Sequence, residues 1–273
     1  MESLAGRTAI VTGAGAGIGR GIALVLAAEG ARIVAVDLDG NRAMAAAMAV
    51  RDLGGIADPV AADVSVAGDV EHMVRAAMRS SGRVDVLASN VGIYPTSGLE
   101  STSEQMWDHV MAVNTKSAFL LLRALLPIMR RQRYGRVVVT SSITGPLTAI
   151  PGLGHYAASK AALMGLVRSA AVETAGHGVT VNAVLPGTVD TEGLRAAGGQ
   201  DYIDLMLPSI PVRRLAQPAD LGWAVRMLAA PEAGYITGTG LVVDGGQSLP
   251  EGRIPAESVD AMFGAIDPFS SAD

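Results

Sequence analysis

Thr12-Gly13-Ala14-Gly15-Ala16-Gly17-Ile18-Gly19 decides how this chain is read. The stretch follows a β-branched run at 8–11 and opens an Ala/Leu-rich segment at 18–29, so the glycines punctuate a strand-to-helix turn. Glycine permits so sharp a turn and lets backbone N–H groups come close to a ligand. The helix N-terminus behind the turn favours an anion there.

The same alternation continues outward. Short β-branched or apolar runs lie at 8–11, 32–36, 56–61, 84–88, 136–140, 180–184 and 240–243. Segments rich in Ala, Leu, Met and Arg lie between them at 18–29, 41–53, 69–80, 103–129, 155–175 and 218–230, and these residues favour helix. Strands that alternate with helices predict βαβ units and a parallel sheet covered on both faces. The nearly continuous apolar strands fit burial on both sides. No linker divides the run, so residues 1–248 are expected to form one domain. Residues 249–273, richer in Pro, Ser and acids, are expected to be a C-terminal extension.

Composition narrows the function classes. The 273 residues are 49% hydrophobic and 17% charged, with no Cys and a formal net charge of −5. No thiolate chemistry, iron–sulfur cluster or Cys-bound zinc is available, and a reducing, cytoplasmic setting fits. The acidic balance argues against nucleic acid and anionic membrane as partners. The apolar stretch 119–129 contains Arg123 and Pro127 and is expected to be a buried helix too short to span a bilayer. His72, His109, His155 and His177 have no metal-site spacing, so no metal is expected; His155 is placed at the mouth of the site.

Asp37 closes the second strand about 20 residues after the glycines, the offset that the dinucleotide fingerprint expects. Its carboxylate can accept hydrogen bonds from an adenosine ribose and would repel a 2′-phosphate. This favours NAD over NADP, with Arg42 the one nearby cation acting the other way. Further on, Tyr156 and Lys160 share a helix face at i, i+4. A phenol with a reference pKa of about 10 needs a neighbouring cation to act as a base near neutrality. Only Lys116 and Lys160 are lysines, while Arg serves elsewhere. Thr140-Ser141-Ser142 ends the fifth strand, where parallel strands deliver ligand contacts. Taken singly, Tyr156 reads as a packing residue and Ser142 as a turn cap.

Together these motifs resemble the classical short-chain dehydrogenase/reductases over roughly residues 5 to 248. The ordered matches are Thr12-Gly13-xxx-Gly17-x-Gly19, Asp63-Val64, Asn90-Val91-Gly92, Asn114, Ser142, Tyr156-xxx-Lys160 and Pro186-Gly187-xxx-Thr191. The resemblance implies an α/β fold: a single Rossmann-like, doubly wound domain with a mainly parallel seven-stranded sheet flanked by helices. It implies that Tyr156 exchanges a proton with the substrate oxygen, that Ser142 holds that oxygen, and that Lys160 lowers the Tyr156 pKa and binds the nicotinamide ribose. Asn114 would hold a water that links Lys160 to solvent. Gly13, Gly15, Gly17, Ile18 and Gly19 would line the pyrophosphate, Asp37 the ribose, and Asp63 and Val64 the adenine. Asn90 and Gly92 would line the cleft, and Pro186, Gly187, Thr188 and Thr191 the nicotinamide end. Gly145 follows Ser142 at the family's offset, which favours Ser142 over Ser141, although the gap of 14 to Tyr156 is about one residue long and keeps Ser141 open. Ser89 departs from the family's Asn-Asn-Ala-Gly and bears on local stability.

The implied reaction is hydride transfer between a nicotinamide cofactor and a secondary alcohol or ketone. Ile93, Tyr94, Ile143, Leu153 and Leu194 would surround a mainly hydrophobic substrate, and Gly198-Gly199 would lie in a closing loop. One alternative is a 3-oxoacyl-acyl-carrier-protein reductase, with Arg130, Arg131 and Arg133 for the acidic carrier. Against it stand His177 at the second basic position and Asp37, which disfavours NADPH. Another is a nucleotide-binding protein without turnover, which retention of both Tyr156 and Lys160 opposes. The resemblance also implies a homotetramer built from the fourth and fifth helices and the last strand, with the tail from Leu249 near a neighbour's cleft.

Overall fold

In the computed structural model, which describes residues 3–250, seven strands form one sheet in the order β3-β2-β1-β4-β5-β6-β7. They are β1 (Thr8–Thr12), β2 (Arg32–Asp37), β3 (Ala57–Ala61), β4 (Val86–Ser89), β5 (Gly135–Thr140), β6 (Val179–Pro186) and β7 (Gly240–Val243). Every neighbouring pair is parallel. The sheet is therefore wholly parallel, and each predicted strand is present within about two residues of its expected ends, the usual scatter at element boundaries.

Parallel strands need crossovers, and the Ala/Leu-rich segments supply them. The helices are α1 (Gly17–Ala28), α2 (Gly40–Asp52), α3 (Ala67–Ser81), α4 (Glu104–Met111), α5 (Ser117–Gln132), α6 (Gly154–Thr174), α7 (Glu192–Met206) and α8 (Pro218–Ala229). Local chemistry sets several starts. Asp39 accepts from Asn41 N ahead of α2, Ser103 accepts from Met106 N ahead of α4, and Gln217 and Asp220 cap α8 reciprocally.

Period-two alternation divides the strands between two cores. On one side Ile10, Leu87, Val137, Val139, Val181 and Leu185 pack with residues of α3, α5 and α6. On the other, Ala9, Val11, Val86, Val138 and Val184 pack with residues of α1, α2 and α8. Strand order reverses between β1, which pairs with β2 on one side, and β4 on the other. Loops that leave neighbouring strands in opposite directions open a crevice at the carboxyl ends, where ligands bind in such sheets.

Two expectations change. The apolar stretch around Phe119 is the buried helix expected, with Leu120, Leu121, Leu122, Leu125 and Met129 in the core, but it is part of a longer helical run from Glu104 to Gln132, 29 residues that by length and composition alone would reach across a membrane. Pro127 lies inside α5 without ending it. Burial of Leu121, Leu125 and Met129 offsets the lost N–H bond, which costs about 3 kcal/mol in an isolated helix. Second, the segment with Gly198-Gly199 is helical rather than a plain loop. It is kinked at Gly199, whose φ of 60° lies outside helix geometry. The extension read at 249–273, and its expected place near a neighbour's cleft, lie outside the described residues from 251 onward.

Candidate active site

The glycine turn is shaped by what surrounds it. Gly13 and Gly17 adopt left-handed φ of 64° and 49°. A Cβ on Gly19 would stand 2.0 Å from Gly13 O, and one on Gly15 would stand 2.7 Å from Asp37 Oδ2. Thr12 Oγ1 accepts from Asn90 N at 3.0 Å and so ties the turn to the end of β4. The turn delivers Ile18 and Gly19 to the first turn of α1; the N-cap residue Ala16 has no capping side chain, and Gly17 N donates to Glu192 Oε2 at 3.2 Å. Gly15 N donates to Asp37 Oδ2 at 3.0 Å. Asp37 therefore stands at the glycine turn, as its offset predicted. Arg42 leans back toward Asp39, with Nε 4.0 Å from Oδ2.

Asp63 follows β3 beside β2, and Ala62 N donates to Asp37 O at 3.0 Å. Its carboxylate caps its own turn, accepting from Ser65 N and Ser65 Oγ at 2.9 and 2.7 Å. Val64 is buried in the α3-side core.

Three elements converge at the ends of β4 and β5. After α4 the chain takes one wide turn, Ala112–Lys116, in which Ser117 N donates to Ala112 O across five residues. Asn114 sits in that turn. Its Oδ1 accepts from Ile93 N at 2.8 Å, and its Nδ2 donates to Ile93 O at 2.9 Å and to Ser159 Oγ at 3.0 Å. Thr115 Oγ1 donates to Ser159 O at 3.1 Å. The wide turn thus pins the first turns of α6 at Ser159. The Asn114 amide is committed to the loop and the helix, so the side chain braces them.

Tyr156 and Lys160 project from α6 toward the end of β5. The Lys160 Nζ lies 5.6 Å from the Tyr156 ring centroid and donates to Thr140 O at 2.8 Å. Lys160 is buried, and burial lowers its pKa to about 8. Burial pushes the Tyr156 phenol above its ordinary value, the neighbouring Ser142 hydroxyl pulls it back in part, and Tyr94 adds to the rise. Of these influences burial is the largest. Ser142 Oγ accepts from Thr144 N at 3.1 Å and faces Tyr156, whereas Ser141 Oγ donates to Lys160 O at 2.8 Å. The geometry favours Ser142 over Ser141 for a group that meets the phenol.

Around this cluster, Gly92 packs against Lys160: a Cβ there would lie 3.2 Å from Nζ. Tyr94 stands edge-on to Tyr156, with ring centroids 6.0 Å apart. Ile143 is buried and donates its N–H to Pro186 O at 3.0 Å. Leu153 precedes α6 and Leu194 packs on Ile203, Ile210 and Leu215. Pro186, Gly187 and Thr188 leave β6 beside Ser141 and Ile143. Thr191 caps α7 and touches Gly17, where a Cβ would lie 3.1 Å from Thr191 Cγ2.

His155, expected at the mouth, is wholly buried, and neither ring nitrogen has a hydrogen-bond partner. One residue before Tyr156 on a helix is about 100° away around the axis, which turns it inward. Among the described residues no group of His, Asp or Glu is placed to hold a metal ion. Gln247, which no motif marked, hydrogen-bonds Thr188; Gly187, where a Cβ would lie 2.6 Å from Gln247 Oε1, is the one signal that could have pointed to it.

The residues fit a dinucleotide. Asn90 Oδ1 is buried without a partner beside the glycine cradle, and Gly13, Gly15 and Gly19 leave a space that side chains would fill. A doubly wound parallel sheet with this cradle and a Ser–Tyr–Lys cluster at its carboxyl edge defines a nucleotide-dependent oxidoreductase. Residues 13–248 match a family model described as enoyl-(acyl carrier protein) reductase. The chain is 39% identical over 261 residues to oxidoreductase UcpA of Salmonella typhimurium, covering 92% of this chain and 98% of that protein. It is 38% identical over 245 residues to the 3-oxoacyl-[acyl-carrier-protein] reductase FabG of Staphylococcus epidermidis, covering 89% and 99%. A short-chain dehydrogenase/reductase from Mycobacterium marinum superposes with a TM-score of 0.87 at 31% identity, covering 91% and 98%. The crystal structure of levodione reductase gives 0.86 at 32%, covering 90% and 98%. The chain belongs to the short-chain dehydrogenase/reductase family and is an oxidoreductase acting on CH–OH groups.

Proposed function

We propose that this protein is an NAD-dependent dehydrogenase that interconverts a mainly hydrophobic secondary alcohol and its ketone. The observation that carries this reading is the meeting of Ser142, Tyr156 and Lys160 at the end of β5, beside a glycine turn whose Gly15 N–H is held by Asp37. The Asp37 carboxylate supports NAD over NADP, because a 2′-phosphate would meet like charge there. Tyr94, Ile143, Leu153 and Leu194 support an apolar substrate.

When bound, the nicotinamide ring accepts or donates the hydride. Ser142 Oγ holds the substrate oxygen against Tyr156. In oxidation the Tyr156 oxygen takes the alcohol proton; in reduction it returns one to the carbonyl oxygen. Lys160, fixed on Thr140 O, places a cation beside the phenol and within reach of a ribose. Asn114 holds Ile93 and the start of α6 in register. Gly17, Ile18 and Gly19 receive the pyrophosphate, Asp63 and Val64 flank the adenine, Asn90 and Gly92 line the cleft, and the 186–191 loop meets the nicotinamide end.

We assign residues 1–248 to the catalytic domain and 249–273 to an extension. Exposed Phe119 on α5, Val172 on α6 and Val242 on β7 support assembly into a homotetramer. The absence of Cys supports a cytoplasmic setting. The FabG relatives raise a second reading, reduction of a carrier-bound 3-oxoacyl group, for which exposed Arg131 and Arg133 could meet an acidic carrier.

The test is reduced-nicotinamide absorbance over a panel of secondary alcohols with NAD and with NADP, alongside Tyr156→Phe. Turnover with NAD that the variant loses, while NADH binding persists, supports the assignment. Turnover confined to NADP and a carrier-bound ketone supports the second reading. Turnover that survives in Tyr156→Phe removes the proposed role of that phenol.

A further inference from the structure

Gln247 lies beyond the last strand, yet its side chain reaches back into the site. Its Oε1 accepts from Thr188 N at 2.9 Å, and its Nε2 donates to Thr188 Oγ1 at 3.0 Å. A longer bond of 3.4 Å runs from Nε2 to Ser209 Oγ, just after α7. The amide thus spans two segments, and among the described residues no other side-chain hydrogen bond links either of them to the β7 turn. A carboxamide suits the place because one planar group supplies both the acceptor that a backbone N–H needs and a donor for a hydroxyl.

The glutamine is itself held. Gln247 N donates to Asp244 O at 3.1 Å, and the Asp244 carboxylate accepts from Gly246 N at 2.9 Å and Ser248 N at 2.8 Å. Gly187 leaves room for it: a Cβ would lie 2.6 Å from Gln247 Oε1 and 2.9 Å from Asp244 Cα. Gly187 has a negative φ that other residues can adopt, so this close approach, not backbone conformation, accounts for glycine there. On the far side of the loop, Thr188 O accepts from Ala216 N at 3.1 Å. The loop is clasped at Thr188 from two sides, and Gln247 is the side chain that does so.

We propose that Gln247 is a positioning residue that fixes the 186–191 loop at the nicotinamide end of the site. This rests on the reading of that loop given under the proposed function. The residue would touch neither cofactor nor substrate; it would act through Thr188 N–H, which lacks an acceptor if the amide is removed.

The full-length protein would be compared with Gln247→Leu and Gln247→Glu. NADH dissociation constants would be taken from fluorescence, with steady-state KM for the cofactor, kcat and the melting temperature beside them. Gln247→Leu should raise the NADH dissociation constant and the cofactor KM about tenfold, the scale of an unmet buried donor. Gln247→Glu keeps the acceptor for Thr188 N and should restore most of that loss. A melting-temperature drop in Gln247→Leu with unchanged cofactor affinity would overturn the inference and leave the dehydrogenase reading intact. If Gln247→Leu does not fold, wild-type-like NADH affinity in Gln247→Glu beside a loss in Gln247→Ala supports the inference; equal affinity in both overturns it. Wild-type protein that binds neither NADH nor NADPH would overturn the functional reading, and the inference with it.

Discussion

Gly15 and Asp37 are in contact that no side chain could enter: the amide N–H of one donates to a carboxylate oxygen of the other at 3.0 Å, and a Cβ on Gly15 would stand 2.7 Å from that oxygen. The acid is thereby fixed at the floor of the glycine turn. Replacing it by Asp37→Ala removes an ionic acceptor and a source of like-charge repulsion together. The ratio of kcat/KM for NAD over NADP should fall about tenfold to a hundredfold, the scale of a charge-assisted hydrogen bond. Parallel kinetics with both cofactors measure it, and an unchanged ratio would take Asp37 out of cofactor choice.

Ser141 and Ser142 are adjacent but do different work in the geometry. Ser142→Ala should lower kcat by about a hundredfold, the low end of proton-transfer and oxygen-positioning effects, with little change in melting temperature. Ser141→Ala removes the buried bond to Lys160 O and should cost about 1 kcal/mol of stability with a smaller loss of kcat. Kinetics and thermal denaturation of the two variants, side by side, decide between them.

Burial raises the Tyr156 pKa, only partly offset by Ser142, so the phenol keeps its proton through the neutral range. Reduction of a ketone needs that proton and should be level from about pH 6 to 8, whereas oxidation needs the deprotonated group and should climb toward the reference value of about 10. Profiles of kcat/KM in the two directions test this. An oxidation plateau reached below neutrality would contradict the direction of the shift.

Lys160 carries the opposite linkage. Its folded pKa of about 8 lies below the ordinary lysine value of 10.5, so between these values the unfolded chain binds the extra proton and stability rises with pH. Below about pH 8 the full cost of burying the charge is present. Lys160→Met should therefore abolish turnover and yet raise stability at neutral pH by an amount on the order of 1–3 kcal/mol. The gain should shrink as pH rises from about 8 to 10.5 in denaturant titrations.

Most of this architecture was legible because local and global signals agree. Each strand run alternates with a helix-forming run, and the ordered motifs fall at strand ends, where a parallel sheet gathers them. The kinked helix α7 was not legible, because Gly198 and Gly199 depress its propensity and its anchors, Ile210 and Leu215, come later in the chain. His155 was misplaced for a rotational reason: its neighbour Tyr156 faces the site, so it cannot. Gln247 escaped because its partner lies 59 residues away and the glycine that makes room for it is itself part of a motif read otherwise. The division of labour between Ser141 and Ser142 needed the path of the backbone after β5, which spacing does not give.

The wide turn at Ala112–Lys116 is one residue longer than a regular helical turn would be, and it joins α4 to α5 without a loop. Losing one residue there would let ordinary helix close through the junction with the helices on either side nearly in register, since the wide turn is what takes up the extra residue. What would go is the turn that sets Asn114 against Ile93 and Ser159. Point changes in this segment can be absorbed one side chain at a time. A change in its length cannot, so chain length through 112–116 should be held more strictly over descent than the identity of its residues.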